Sequence, residues 1–207
     1  MEANGKVSWM QHRLKTACLF LRPVQESDIP AIQKAASAFA VADAMISIPH
    51  PYPEDEAQRF VETQRELMSK KQSLTFSMIE TEKKAFTGLI SLRDFEPEHQ
   101  TAELSFWVAP NAQGRGYMTE ALPSVLDLAF KHLELNRIYA YHMLRNVPSG
   151  RVLEKCGLRP EGPKHGVKCG KFEDVLLRAV LREEWSKISE QLISRVRERY
   201  AVELGGS

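Results

Sequence analysis

The amino-acid sequence predicts a mixed α/β domain of the α+β kind, in which helices flank one mostly antiparallel central sheet. Three observations predict it. Between Leu74 and Val108, three runs of β-forming residues are separated only by the polar turns Glu80–Lys84 and Asp94–Gln100, which is a meander. Two stretches at helical spacing precede the meander. After it, a helical stretch separates Thr101–Val108 from the next strand, Arg137–Met143, and a strand–helix–strand crossover implies parallel pairing there.

Taken in order, Met1–Lys15 is mixed and polar and reads as an arm. Ala17–Pro23 reads as a first strand, stopped by Pro23. Ser27-Asp28 supplies an N-cap, with Pro30 in the first turn. Ile29, Ile32, Ala35, Ala36 and Phe39 then share a helical face, so Asp28–Ala40 is predicted as one helix. Three alternating prolines make Ile48–Pro53 extended. Helical spacing resumes over Glu54–Ser69, and its early acids suit a helix N-terminus. Leu74–Ile79 and Ala85–Leu92 form a hairpin, and Thr101–Val108 adds the next strand. Met118, Leu122, Val125, Ala129 and Leu133 make one helical stripe. Pro123 interrupts it, which predicts a kink or a helix start close by. After Arg137–Met143, Ser149 caps a short helix, Gly150–Lys155, ended by Gly157. Phe172–Leu181 is the last strand. Trp185–Tyr200 is a C-terminal helix whose apolar stripe fits the domain or a second chain, so a homodimer is one expectation. The predicted organisation is an arm over 1–18, one domain over 19–185, and a helix and tail over 186–207.

Composition excludes several classes. Hydrophobic residues at 43% and charged residues at 27% are ordinary for a globular chain. The net charge of +1 gives no reason to expect a nucleic-acid partner. The three cysteines, Cys18, Cys156 and Cys169, are too few and too scattered for a disulfide framework. Cys/His metal spacing is absent, so no metal is expected. No apolar run reaches membrane-spanning length, and Met1–Trp9 lacks the apolar core of a signal peptide, so the expectation is a cytoplasmic protein.

The stretch Gln113-Gly-Arg-Gly-Tyr-Met-Thr-Glu-Ala121 lies between a strand and a helix start. Loop amides and the positive helix end make such a turn an anion site, although a plain turn would also serve there. Gly114 and Gly116 let the backbone approach a phosphate, and Arg115 adds charge at the rim. No Gly-Lys-Ser/Thr follows, which argues against a P-loop, and Thr119 stands where a dinucleotide fold needs its third glycine.

Glu103 sits in a strand between Ala102 and Leu104. Alternation places it on one face with Ser105 and Trp107, opposite Leu104, Phe106 and Val108. A carboxylate in mid-strand is costly unless it is paired with a cross-strand cation or needed for chemistry as a general base. Ser149 fits turn and cap chemistry. His50, Tyr52, His142 and His165 fit a substrate pocket, the surface or a satisfied core; Cys156 lies on an apolar helix face and reads as core.

Several motifs, in order, resemble the GCN5-related N-acetyltransferase (GNAT) family, closest to its Rim-type ribosomal-protein N-terminal acetyltransferase branch. These are Leu21-Arg-Pro-Val24 with Ser27-Asp28, Pro51-Tyr52, Glu103–Val108, the glycine loop, Asn146 with Ser149 and Leu153-Glu-Lys-Cys-Gly157, and the Lys171-to-Trp185 close. The resemblance spans roughly Leu19 to Trp185. Two positions depart from the pattern: Met118 replaces a second Gly/Ala, and Leu158 replaces an aromatic. The resemblance implies a GNAT fold with its sheet splayed at strands 4 and 5. It implies acetyl-CoA as co-substrate, with its pyrophosphate on Gln113, Gly114, Arg115, Gly116, Tyr117, Met118 and Thr119. Its pantetheine would lie along Phe106, Trp107 and Val108 and against Asn146. Glu103 would be the general base and Ser149 the acid for the departing thiolate. The acceptor would be a primary amine, either a protein N-terminus or a small molecule such as a polyamine, amino acid or aminoglycoside, bound between the Ala40–Tyr52 loop and the meander. A non-catalytic acyl-CoA-binding domain is the competing implication.

Overall fold

A computed structural model describes residues 9–168 and 170–204. The arm before Trp9, with its expected lack of a signal peptide, and Cys169 lie outside the described residues. So does the tail after Leu204.

Eight strands among the described residues form one sheet, in the order β1-β2-β3-β4-β5-β6-β8-β7. The strands are β1 (Leu14–Lys15), β2 (Leu19–Pro23), β3 (Ser73–Glu80), β4 (Ala85–Glu96), β5 (Thr101–Val108), β6 (Arg137–Met143), β7 (Arg159–Lys168) and β8 (Lys171–Leu181). Every pairing is antiparallel except β5 with β6, which is parallel across the predicted crossover. The helices are α1 (Ile29–Ala36), α2 (Phe39–Ala44), α3 (Glu56–Ser69), α4 (Tyr117–Lys131), α5 (Val147–Lys155) and α6 (Arg182–Leu204). The mixed fold, mostly antiparallel and flanked by helices, is therefore as expected. The arm contributes more than the sequence suggested. Leu14–Lys15 pairs with β2, and Trp9 packs on Phe95 with ring centroids 4.7 Å apart.

The core lies between the sheet and α4. Leu21, Phe76, Ile90, Leu92 and Ala102 from the strands pack with Ala121, Leu122, Val125 and Ala129 from α4, all fully buried. Each large apolar side chain removed from water in this way contributes about 1.5–3 kcal/mol. A second, smaller core joins Ile32 of α1 to Ala57 and Val61 of α3 and Leu89 of β4.

Four local expectations are corrected. The single helix over Asp28–Ala40 is two helices. The Ser37 hydroxyl donates to the Gln33 carbonyl at 2.7 Å, and Ala38 turns to an extended ψ of 129°. β7 was not expected, because Pro160, Gly162, Pro163 and Gly166 weaken any strand reading. It is an edge strand with a register shift between Pro160 and Gly162, which is where prolines are tolerated. Pro123 lies inside α4 beyond its first turn, which removes the expected alternative of a helix start close by, and the helix continues to Lys131. The ring leaves the Thr119 carbonyl without its helical donor. Finally, α5 starts at Val147, and its cap is Asn146 rather than Ser149.

α6 settles against its own chain. Trp185 is 1% exposed, its ring lies 6.3 Å from Phe130 of α4, and its indole N–H donates to Asp127 Oδ1 at 3.0 Å. Among the described residues, no helix is long and apolar enough to cross a membrane.

Candidate active site

The site begins where the sheet opens. β5 and β6 pair only through Thr101 with Arg137, Ala102 with Ile138 and Glu103 with Tyr139. Beyond Glu103, β5 stays with β4 as far as Val108, and β6 stays with β8 as far as Met143. The two strands therefore splay, at the positions of the fourth and fifth strands expected from sequence. They are β5 and β6 in chain order because Leu14–Lys15 adds one. Gly88 lets β4 follow β5 to its end, since a Cβ there would lie 2.3 Å from the Trp107 carbonyl oxygen.

Three cavities meet at the splay, and Met45 and Phe106 line all of them. The largest, about 660 Å³, runs from α2 past Phe106, Trp107 and Val108 to the glycine loop and across to α5. A second, about 250 Å³, lies in the mouth of the splay and brings Glu103 together with Asn146 and Ser149. The third, about 240 Å³, opens between β4, β5, α1 and α3, with Tyr52, Glu56, Arg93 and Ser105 in its wall.

In the glycine loop, Gly114 and Gly116 take φ of 76° and 80°, a left-handed backbone that favours glycine. Gly116 is the residue before α4, so the amides that follow it stand at the positive end of that helix. Gln113, Gly114, Gly116, Tyr117, Met118 and Thr119 line the large cavity, and the Gln113 amide side chain donates to the Val108 carbonyl at 3.2 Å. The Tyr117 ring turns into the core, where its hydroxyl donates to Glu80 Oε1 at 2.8 Å. The Arg115 guanidinium bonds the Tyr117 hydroxyl, which raises its pKa, and Arg115 is outside the cavity wall.

Glu103 has the cross-strand cation that elementary electrostatics asks for. Arg93, its register partner on β4, donates from Nε at 3.1 Å and also from Nη2, both to Oε1. Neither bond uses Oε2, and the Glu103 side chain keeps 13% of its exposure. Tyr139 faces it from β6, and burial, followed by the charge of Glu103, pushes that phenol up to about 12.

Asn146 works in two directions. Its Oδ1 accepts the Ser149 backbone N–H at 3.2 Å, and its Nδ2 donates to the Ala44 carbonyl at the end of α2, also at 3.2 Å. Because Asn146 supplies the cap, the Ser149 hydroxyl is not needed for it. Two further contacts hold α2 and the loop after it over the site. Lys168 Nζ donates to the carbonyls of Ala42 and Met45 at 2.6 Å each, and Arg145 pairs with Asp43 at 2.6 Å. Sequence reading missed this clamp, and it missed Arg151 and Lys155. Those two cations are the charged residues in the wall of the large cavity, four apart on one face of α5.

The remaining candidates separate. His142 is buried in the wall of the splay cavity. Burial lowers its pKa; Arg178 donates to its Nε2 at 3.3 Å, and its Nδ1 meets the Met143 carbonyl at 3.1 Å, so the ring is neutral. His165 stands at the rim, paired with Asp174. Tyr52 walls the third cavity, and burial pushes its phenol up to about 12. His50 stacks edgewise on Phe39 outside the three cavities. Cys156 is fully buried, and burial pushes its thiol up to about 12, which suits core and not a nucleophile.

Residues 19–159 match the family model of the GNAT acetyltransferase domain. The chain belongs to that family and is an N-acetyltransferase. It is 31% identical to YnaD, an uncharacterized N-acetyltransferase of Bacillus subtilis, over 84% of this chain and 99% of that one. It is 29% identical to the spermidine N(1)-acetyltransferase of Vibrio cholerae, over 55% of this chain and 66% of that one. Its fold resembles that of RimL, a ribosomal alpha-N-protein acetyltransferase solved in complex with coenzyme A, with a TM-score of 0.76 at 18% identity. That match covers 82% of this chain and 98% of the other, and it shows the fold.

Proposed function

We propose that the protein transfers the acetyl group of acetyl-CoA to a primary amine by direct attack, and that the amine is the N-terminus of a protein. One observation carries the reading: Glu103 and Ser149 line a single cavity that joins the large cleft through Asn146, Phe106 and Met45. The cleft suits the phosphates of acetyl-CoA, because its charged lining is Arg151 and Lys155 and its far end is the amino end of α4. Acetyl-CoA supplies a thioester carbonyl; the chain holds it and moves protons.

An amine reaches the site as an ammonium at neutral pH and must lose a proton before it can attack. Glu103 Oε2 takes that proton, directly or through a water, while Arg93 keeps Oε1 occupied and the carboxylate in place. The amine nitrogen bonds to the carbonyl carbon as the carbon–sulfur bond breaks. The backbone of Phe106–Val108, free of β6, donates to the carbonyl oxygen. The Ser149 hydroxyl gives a proton to the departing sulfur and regains one from the attacking nitrogen as that becomes an amide, so CoA leaves as the thiol and the serine ends neutral.

Glu103→Gln tests the assignment. The variant should bind acetyl-CoA as the native chain does and lose about a hundredfold or more in kcat for amine-dependent CoA release. Retained kcat would remove Glu103 from the chemistry. A panel of N-terminal peptides and small amines, the polyamines among them, decides the acceptor. If no amine stimulated CoA release, the transfer reading would fall.

A further inference from the structure

The acceptor side of the site is poor in free negative charge. The acids that line its two cavities are Glu103 and Glu56, and an arginine holds each one. Arg93 bonds Glu103 at 3.1 Å, and Arg59 bonds Glu56 at 2.8 Å. Lys164, from β7, lines the same cavity as Glu103 and is bound differently. Its ammonium donates to the Tyr141 hydroxyl at 2.6 Å and lies 4.7 Å from the centroid of that ring. Among the described residues, no carboxylate forms an ion pair with it.

Tyr141 is two residues along β6 from Tyr139, the register partner of Glu103. Two strand residues span about 7 Å, so Lys164 stands one or two peptide residues away from an amine delivered to Glu103. A polyamine would bring a second ammonium toward Lys164 and Arg93 and find no free carboxylate to receive it. An acceptor with a negative group close to its amine would instead complete an ion pair at Lys164.

We propose that the acceptor is an amine flanked by an anionic group, and that Lys164 selects it. If the acceptor is a protein N-terminus, the anion is an acidic side chain at its second or third position. This rests on the acceptor reading above.

The test uses the full chain and CoA release. Three short peptides, alike except for Asp, Ala or Lys at the second position, are compared with free glutamate and with spermidine. The native chain should favour the Asp peptide over the Lys peptide by about tenfold in kcat/KM, mainly through KM, and added salt should shrink the ratio. Lys164→Glu should invert the order, Lys164→Met should flatten it, and Lys164→Arg should keep it. Acetyl-CoA affinity should stay unchanged in all three, because Lys164 lies outside the large cleft. Glutamate preferred to every peptide would support the anion preference and assign its source to a small molecule. Peptides acetylated equally well whatever their charge would overturn this inference and leave the acceptor reading standing. Spermidine preferred, with all peptides refused, would overturn both.

Discussion

At Glu103, two roles that compete in the sequence prove compatible in space. The acid has its cross-strand partner in Arg93, which makes a carboxylate in mid-strand tolerable. The partner's bonds go to Oε1 only, and Glu103 still lines the cavity. Asp28 shows the structural use of the same chemistry. Arg22 grips it with two bonds of 2.7 Å, while the Ser77 hydroxyl and the Gln25 amide donate at 2.7 and 2.9 Å. Burial alone would raise its pKa, but the Arg22, Ser77 and Gln25 bonds outweigh that and hold it below the usual carboxylate range. A carboxylate depressed in the folded state contributes stability above its unfolded pKa, about 3.9, and the contribution is lost as pH falls through the folded value. Asp28→Asn should therefore lose about 3 kcal/mol at pH 7, through the half-empty pairing with Arg22. The gap from the native chain should narrow below about pH 4. Denaturant unfolding at both pH values measures it, and a gap independent of pH would rule out the ionic account.

Elements place these residues, and α5 depends on Asn146 at both ends of one amide. The oxygen caps the helix that carries Ser149, Arg151 and Lys155; the nitrogen ties that helix start to α2. Asn146→Ala should cost about 1 kcal/mol of stability and weaken acetyl-CoA binding. Asn146→Asp keeps the cap and loses the donor to Ala44. Its melting temperature should stay near native while acetyl-CoA binding still weakens. Equal melting temperatures in all three proteins would count against the cap. The β7–β8 hairpin acts on α2 from the other side, where Lys168 takes the Ala42 carbonyl of that short helix and the Met45 carbonyl just after it. Gly166 contributes space: a Cβ there would come within 3.2 Å of Ile46.

Across the whole molecule, the sheet, α4 and α6 make one packed body, and the site is the place where its two halves part. Trp185 closes the far side of that body. Trp185→Ala should destabilise by about 3–5 kcal/mol, because it empties a large buried volume and leaves Asp127 without its indole donor. A loss below about 1 kcal/mol in denaturant unfolding would show that α6 is only loosely docked.

Local periodicity was enough to read the meander, the crossover helix and the strand after it, because alternation and helical spacing are properties of neighbouring residues. It failed at Ala38, where one extended residue parts two helices, and at β7, where prolines are acceptable only because the strand is at an edge. The candidate site was legible as residue types: an acid in mid-strand, a glycine loop before a helix, and an Asn and Ser after the next strand. The sequence by itself determined the class of fold, the family it resembles and the residues suited to the chemistry. Only the tertiary structure decided that Arg93 holds one oxygen of Glu103, that Asn146 and not Ser149 caps α5, and that Lys164 lines the same cavity as Glu103 with no carboxylate paired to it among the described residues. Arg93 with Glu103 and Lys164 with Tyr141 are contacts between strands, and the pairing of strands is not written in the periodicity of either one; the cap is local, but Asn and Ser suit that role equally well by residue type.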